Sequence, residues 1–158
     1  MGEIKRILDQ LQRSFNGEAW HGPSLMEALS GVDAKKAIAK PISTSHSIWE
    51  IALHVAAWEG AVRTRLEEKY VALPEEGDWP EAADPSEEGW KNFLVKLDQV
   101  HNRLCETVGR LSDDQLKERI GQELDRETGG GVSIYATLHG VIHHNIYHAG
   151  QIALLKKM

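Results

Sequence analysis

Eight histidines occur in the 158 residues of this chain, and four fall within one short stretch near the C-terminus. That stretch reads Leu138-His139-Gly140-Val141-Ile142-His143-His144-Asn145-Ile146-Tyr147-His148-Ala149-Gly150-Gln151. On a helix, residues four apart lie about one turn apart on one face. His144 and His148 could therefore offer two neighbouring imidazoles to one metal ion. His139 and His143 make a second such pair. At ~100° per residue the two pairs stand ~140° apart around the helix, so they cannot share a site. His148 falls in the apolar arc beside Val141, Ile152 and Leu155, with His144 at its margin. His139 and His143 sit on the opposite margin, so burial favours the 144/148 pair.

A catalytic zinc usually takes three protein ligands and keeps one position open. His54 is the best third ligand, since Leu53, Val55 and Ala56 flank it midway along a helical segment. His21 in a loop, His46 at a helix start and His101 in the polar run His101-Asn102-Arg103 are weaker. A helical histidine is more often a surface or satisfied core residue than a ligand. Spacing alone therefore leaves a three-histidine site and ordinary packing both open. Other metal and nucleotide signatures fit less well. No Glu follows His143 or His144 as a His-Glu-x-x-His protease requires. Only one Glu-x-x-His run, Glu18-Ala-Trp-His21, is present where a di-iron bundle wants two. Gly129-Gly130-Gly131 has no phosphate-loop lysine, and there is no Gly-x-Ser-x-Gly elbow.

Four long helices must position these residues. The first spans residues 4–15, with Ile4, Ile7, Leu8, Leu11 and Phe15 on one face. The second spans 47–70, where Ser47 and Glu50 have capping-box spacing. The third begins at Asp84-Pro85, read as N-cap and first-turn proline, and carries Trp90, Phe93, Leu94, Leu97, Val100, Leu104 and Val108. The fourth spans 133–157. Shorter helical pieces are predicted at 23–29, 33–39 and 112–120, the last with a Ser112/Gln115 capping box. Residues 71–85 hold three of the chain's five prolines and read as a loop. No convincing strand or repeat is found. The expectation is one all-α domain over 1–158, an antiparallel four-helix bundle with short helices in its connections.

A net charge of −6 argues against a nucleic-acid or anionic-membrane surface. No run approaches the ~18 apolar residues of a membrane span, and the N-terminus lacks the apolar stretch of a signal peptide. The single cysteine, Cys105, rules out an internal disulfide and fits a reducing, cytoplasmic location.

The segments Ser45-His46-Ser47-Ile48-Trp49-Glu50-Ile51-Ala52-Leu53-His54-Val55-Ala56-Ala57-Trp58-Glu59 and His144-Asn145-Ile146-Tyr147-His148-Ala149-Gly150-Gln151-Ile152, with the early Trp20-His21-Gly22-Pro23-Ser24-Leu25 turn, resemble the DinB / YfiT-like superfamily. The resemblance covers nearly the whole chain. It implies a four-helix bundle of unusual connectivity, often dimeric, that holds one divalent ion, commonly nickel or zinc. Carried over residue by residue, the ligands fall on His54, His144 and His148. One branch, the thiol-dependent maleylpyruvate isomerases, has a glutamate where His144 stands, and this chain departs from it there.

The resemblance implies a metal-dependent enzyme, either a hydrolase or an S-transferase using a low-molecular-weight thiol such as bacillithiol, mycothiol or glutathione. In a transferase the ion would activate the cofactor's sulfur, so Cys105 is not required. Glu50, one turn before His54, is a weak catalytic candidate and fits better as the capping-box acid. The alternatives are a non-catalytic metal-binding or stress-associated protein and a structural helical dimer. A cleft over the metal would mark the enzyme, and Trp49, Trp58, Trp79 and Trp90 could wall it or simply pack in the core. Each ligand's second ring nitrogen should be held by an acceptor. Surplus apolar surface on the first and third helices leads us to expect a C₂ homodimer burying on the order of 1,200 Å² or more.

Overall fold

The computed structural model describes residues 2–158. Six α-helices and one 3₁₀ turn occupy them: α1 (Glu3–Asn16), α2 (Leu25–Leu29), α3 (Ala34–Ile38), α4 (Ile48–Glu68), α5 (Glu87–Gly109), a 3₁₀ turn (Asp113–Lys117) and α6 (Ile134–Leu155). Among the described residues β-pairing is limited to two isolated bridges in the 119–133 connection. No helix is long and apolar enough to cross a membrane.

Each helix starts where a side chain can take the place of a missing backbone partner. Ser47 accepts from the Glu50 N–H while Glu50 accepts from the Ser47 N–H, a complete capping box at α4. Ser133 caps α6 through the Ala136 N–H. For α5 the cap is Ser86, not Asp84. Ser86 Oγ accepts from the Gly89 N–H, and the Asp84 carboxylate accepts from the Ser86 N–H and hydroxyl, so the serine is the residue aimed at the helix. At α1 there is no local cap. Asp113, in the 3₁₀ turn, accepts from the Glu3 and Ile4 N–H groups, each at 2.9 Å. Those two donors hold its carboxyl below the usual range.

The directions of the long helices follow from which residues meet. Trp49 meets Trp90, Glu59 meets His101 and Glu67 meets Thr107, so α4 and α5 run the same way. His54 meets both His144 and His148, while Val62 and Arg65 share a cavity with Thr137 and Val141, so α6 runs against α4. Phe15 stacks on His101, and Leu8 lies nearest Gly109, so α1 runs against α5. The expectation of a uniformly antiparallel set therefore fails for the α4/α5 pair. Residues 69–86 are long enough to carry the chain back to the starting end before α5 begins, which a short hairpin link cannot do.

Two apolar clusters fill the interior. One gathers Phe15, α2, α3, the first half of α4 and α5 and the last two turns of α6. The other gathers the start of α1, the end of α4 and α5, Leu116, Ile120 and the first half of α6. A fully buried leucine or isoleucine contributes about 1.5–3 kcal/mol by leaving water. Most of the arc on α5 expected to be surplus is used inside the chain: Trp90, Phe93, Leu97, Leu104 and Val108 are buried, and Leu94 and Val100 are half-buried. The stripe of Ile4, Ile7, Leu11 and Phe15 on α1 is likewise buried.

Candidate metal centre and its cavity

His54, His144 and His148 come together, with one ring nitrogen of each within 4.8 Å of the others. His54 lies on α4, and the other two lie one turn apart on α6. The Nε2 atoms of His54 and His144 are 2.9 Å apart, and those of His148 and His144 are 3.1 Å apart.

The protons on the far sides of the rings decide what these nitrogens present. His54 Nδ1 donates to the Asp78 carbonyl oxygen at 2.6 Å. His148 Nδ1 donates to Gln151 Oε1 at 2.6 Å. A neutral imidazole with its proton on Nδ1 carries a lone pair on Nε2. Two lone pairs therefore face His144 Nε2, which has at most one proton to share. Three convergent nitrogens with too few protons between them form a donor set for a cation. The spacing suits one: bonds of about 2.0–2.1 Å at tetrahedral angles put ligand nitrogens about 3.3 Å apart. The three histidines could hold a divalent ion. His144 Nδ1 is buried without a partner, so the expected outer hydrogen bond is made at two of the three rings.

The electrostatics agree. Burial pushes the His144 imidazolium down to about 3, helped by the neighbouring His148 and His54. Burial likewise lowers His148 to about 4, against the Gln151 hydrogen bond that favours its charged form. His54 is lowered by burial too, and the Asp78 carbonyl and carboxylate offset part of that. All three rings are neutral at pH 7, the state a metal needs.

The loop at 71–85 closes one side. Trp79 stacks on His54 with centroids 4.0 Å apart, and His46 also stacks on Trp79, at 3.5 Å. The Asp78 carboxylate accepts from Trp58 Nε1 at 2.7 Å. Beyond the histidines opens a cavity of about 410 Å³, walled by Trp58, Val62, Val132, Ala136 and Val141 and shared by His54, Asp78, His144 and Arg65. Its size falls in the range of small-molecule sites.

The remaining residues singled out by sequence lie elsewhere. Glu50 serves as the α4 capping acid and pairs with Lys40 at 2.8 Å; it does not line the cavity. His143 is exposed and His139 half-buried beside Tyr135. Trp49 and Trp90 pack in the core, whereas Trp58 and Trp79 wall the site. His101 is buried and donates Nδ1–H to Glu59 at 3.0 Å. Asn145 donates to the same carboxylate at 2.8 Å. Cys105 sits beside this group, and burial together with the Glu59 charge pushes its thiol up to about 12. That thiol is no nucleophile at neutral pH.

A family model described as the DinB superfamily matches residues 19–152. The chain belongs to the DinB superfamily. The match spans both the Trp20-His21 turn and the three clustered histidines, so the DinB assignment and the site cover the same stretch. Among curated proteins and among solved structures, no match to this DinB chain is found.

Proposed function

We propose that this DinB-superfamily chain is a divalent-metal enzyme acting on a small molecule admitted through the cavity, either as a thiol-dependent S-transferase or as a hydrolase. The observation that carries this reading is that the three-nitrogen cluster opens onto a cavity through His54 and His144 instead of onto a fourth ligand. Among the described residues, the cluster holds His54, His144 and His148 alone. A closed structural site would have a fourth protein donor.

A divalent ion held there supplies concentrated positive charge, which activates water or stabilises a thiolate. The chain's own groups do the rest. The Asp78 carbonyl and Gln151 keep Nδ1 protonated on two rings, so their Nε2 lone pairs stay aimed inward. Trp58, Val62, Ala136 and Val141 give the cavity an apolar wall against which a substrate's carbon skeleton can pack. Trp79 fixes the plane of His54 by stacking.

Zinc and nickel are the proposed ions, and a low-molecular-weight thiol is the proposed co-substrate. Elemental analysis and anomalous scattering test the first. A conjugation screen with glutathione, mycothiol and bacillithiol, run beside an ester-hydrolysis panel, tests the second. Bound metal with no turnover in either screen would favour the non-catalytic metal-binding reading. A homodimer is proposed on the resemblance and a cytoplasmic location on the single cysteine; sedimentation at micromolar concentration tests the assembly, and a monomer mass would reject it.

A further inference from the structure

Arg65 is a cation that the metal centre does not use. It sits on α4, eleven residues after His54, which brings it back to nearly the same face about three turns further along. Only 4% of it is exposed. Its Nε donates to the Ala72 carbonyl at 2.7 Å and one Nη2 hydrogen to the Thr128 carbonyl at 2.6 Å. Its Cζ lies 5.4 Å from the centroid of the Trp58 ring. No carboxylate of the described residues comes within ion-pair range of it. A buried cation ordinarily has a counter-charge, because leaving water without one is costly. Two carbonyls and one aromatic face satisfy part of the guanidinium, and no hydrogen bond engages Nη1. Arg65 lines the same cavity as His54 and His144.

The distances connect the two ends. The Trp58 ring centroid is 6.4 Å from that of His54 and 5.4 Å from Arg65 Cζ, and these two separations together bound the gap between the guanidinium and the His54 ring. The wall between them is apolar, built from Trp58, Val62 and Val141. Asp78 and Glu127 also border the cavity; the Asp78 carboxylate is engaged by Trp58 Nε1 and His54 Nδ1, and Glu127 is exposed, where water and salt screen it.

We propose that Arg65 is the anion-recognising residue of this cavity, and that the molecule handled at the metal centre is a small organic acid whose carboxylate pairs with Arg65 while its reactive end faces the histidines. The unused guanidinium edge suits the planar two-oxygen geometry of a carboxylate. An apolar or aromatic middle would lie along Trp58. The second half of this proposal rests on the metal-enzyme reading, and the first half does not.

The test has two arms. In the first, metal-free protein is titrated calorimetrically with 3-phenylpropanoate and with its neutral amide. The acid should bind at least tenfold more tightly, as a charge-assisted contact to a buried guanidinium provides. Arg65→Gln should bring the ratio near one, and Arg65→Lys should keep part of it. Should Arg65→Gln not fold, the Arg65 side-chain N–H resonance of the wild-type protein must shift with the acid and not with the amide. Equal affinities in the wild type, a ratio that survives Arg65→Gln, or an unmoved resonance would overturn the anion site. In the second arm, cobalt-loaded protein receives 6-mercaptohexanoate or hexanethiol, read by the sulfur-to-cobalt absorption band. About a tenfold advantage of the acid, lost in Arg65→Gln, supports the two-ended substrate, and equal binding overturns it. If cobalt does not bind while the first arm succeeds, the metal reading and the two-ended substrate fall, and the anion site stands.

Discussion

His54, His144 and His148 share α4 and α6 with Glu59 and Asn145, whose partner His101 lies on α5, yet the two clusters differ in what faces the ring nitrogens. At His101 the partner is a carboxylate with no exposed surface, already accepting from Asn145. There the ring nitrogen gives its proton to a buried acid; Asn145 Oδ1 is left without a partner, and no ring lone pair is aimed at a cavity. At the triad, the outer nitrogens of two rings are held and the inner nitrogens face one another. A histidine beside a buried acid acts as a brace. Histidines turned lone pair to lone pair are frustrated until a cation joins them.

The comparison breaks most sharply at His144. His144→Ala should lower zinc or cobalt affinity by about three orders of magnitude or more, since two nitrogens cannot replace three. Calorimetric titration measures this, with circular dichroism to show that the helices remain. His101→Ala should leave metal affinity within a few-fold of wild type. If both substitutions abolish binding equally, the division of roles is wrong.

The reverse effect is expected at Glu59. Glu59→Ala would leave buried His101 and Asn145 without their acceptor and should destabilise the chain by about 3 kcal/mol, read from the urea midpoint. The metal affinity of the folded fraction should not change.

Acid should act on the triad by linkage. The folded pKa values of His144 and His148, about 3 and about 4, lie below the unfolded value near 6.5. Between these limits the unfolded chain takes up protons that the folded chain refuses. Metal-free stability should therefore be greatest above about pH 6.5 and fall as pH drops toward 4, by about 1.4 kcal/mol per pH unit for each of the two rings. Thermal melts across that window measure it. His144→Ala should flatten the decline.

The smallest effect sharpens the role of Glu50. Ser47→Ala should cost about 1 kcal/mol through the lost cap, and Glu50→Ala should destabilise in the same direction. Neither should alter metal affinity beyond a factor of two, and a large loss with Glu50→Ala would return that acid to the site.

Much of this was legible in the chain. The apolar stripes located α1, α4, α5 and α6 to within a few residues, and the i, i+4 pair at 144/148 fell on the buried side of its helix as the wheel required. His54 was reachable because apolar neighbours surround it. Other features depend on contacts distant in sequence. Asp113 caps a helix 109 and 110 residues away, and no local window links them. Arg65 and Glu59 look like ordinary polar positions on α4, because burial of a charge depends on what α5, α6 and the loops bring over it. The shared direction of α4 and α5 is set by the long link between them, whose length permits several paths. The start of α5 is expected at Asp84 because a proline follows it, and Ser86, two residues on, makes the cap instead.

The orientation of His54 comes from a main-chain carbonyl, that of Asp78, whereas His148 relies on the side chain of Gln151. Mutation can delete a glutamine amide in one step but cannot delete a peptide oxygen. Residue 78 can therefore change identity without costing His54 its acceptor, provided the loop keeps its course. Residue 151 has no such latitude. Across lineages, one half of this centre is inherited as a path of the backbone and the other as a particular amino acid, and the two should drift at different rates.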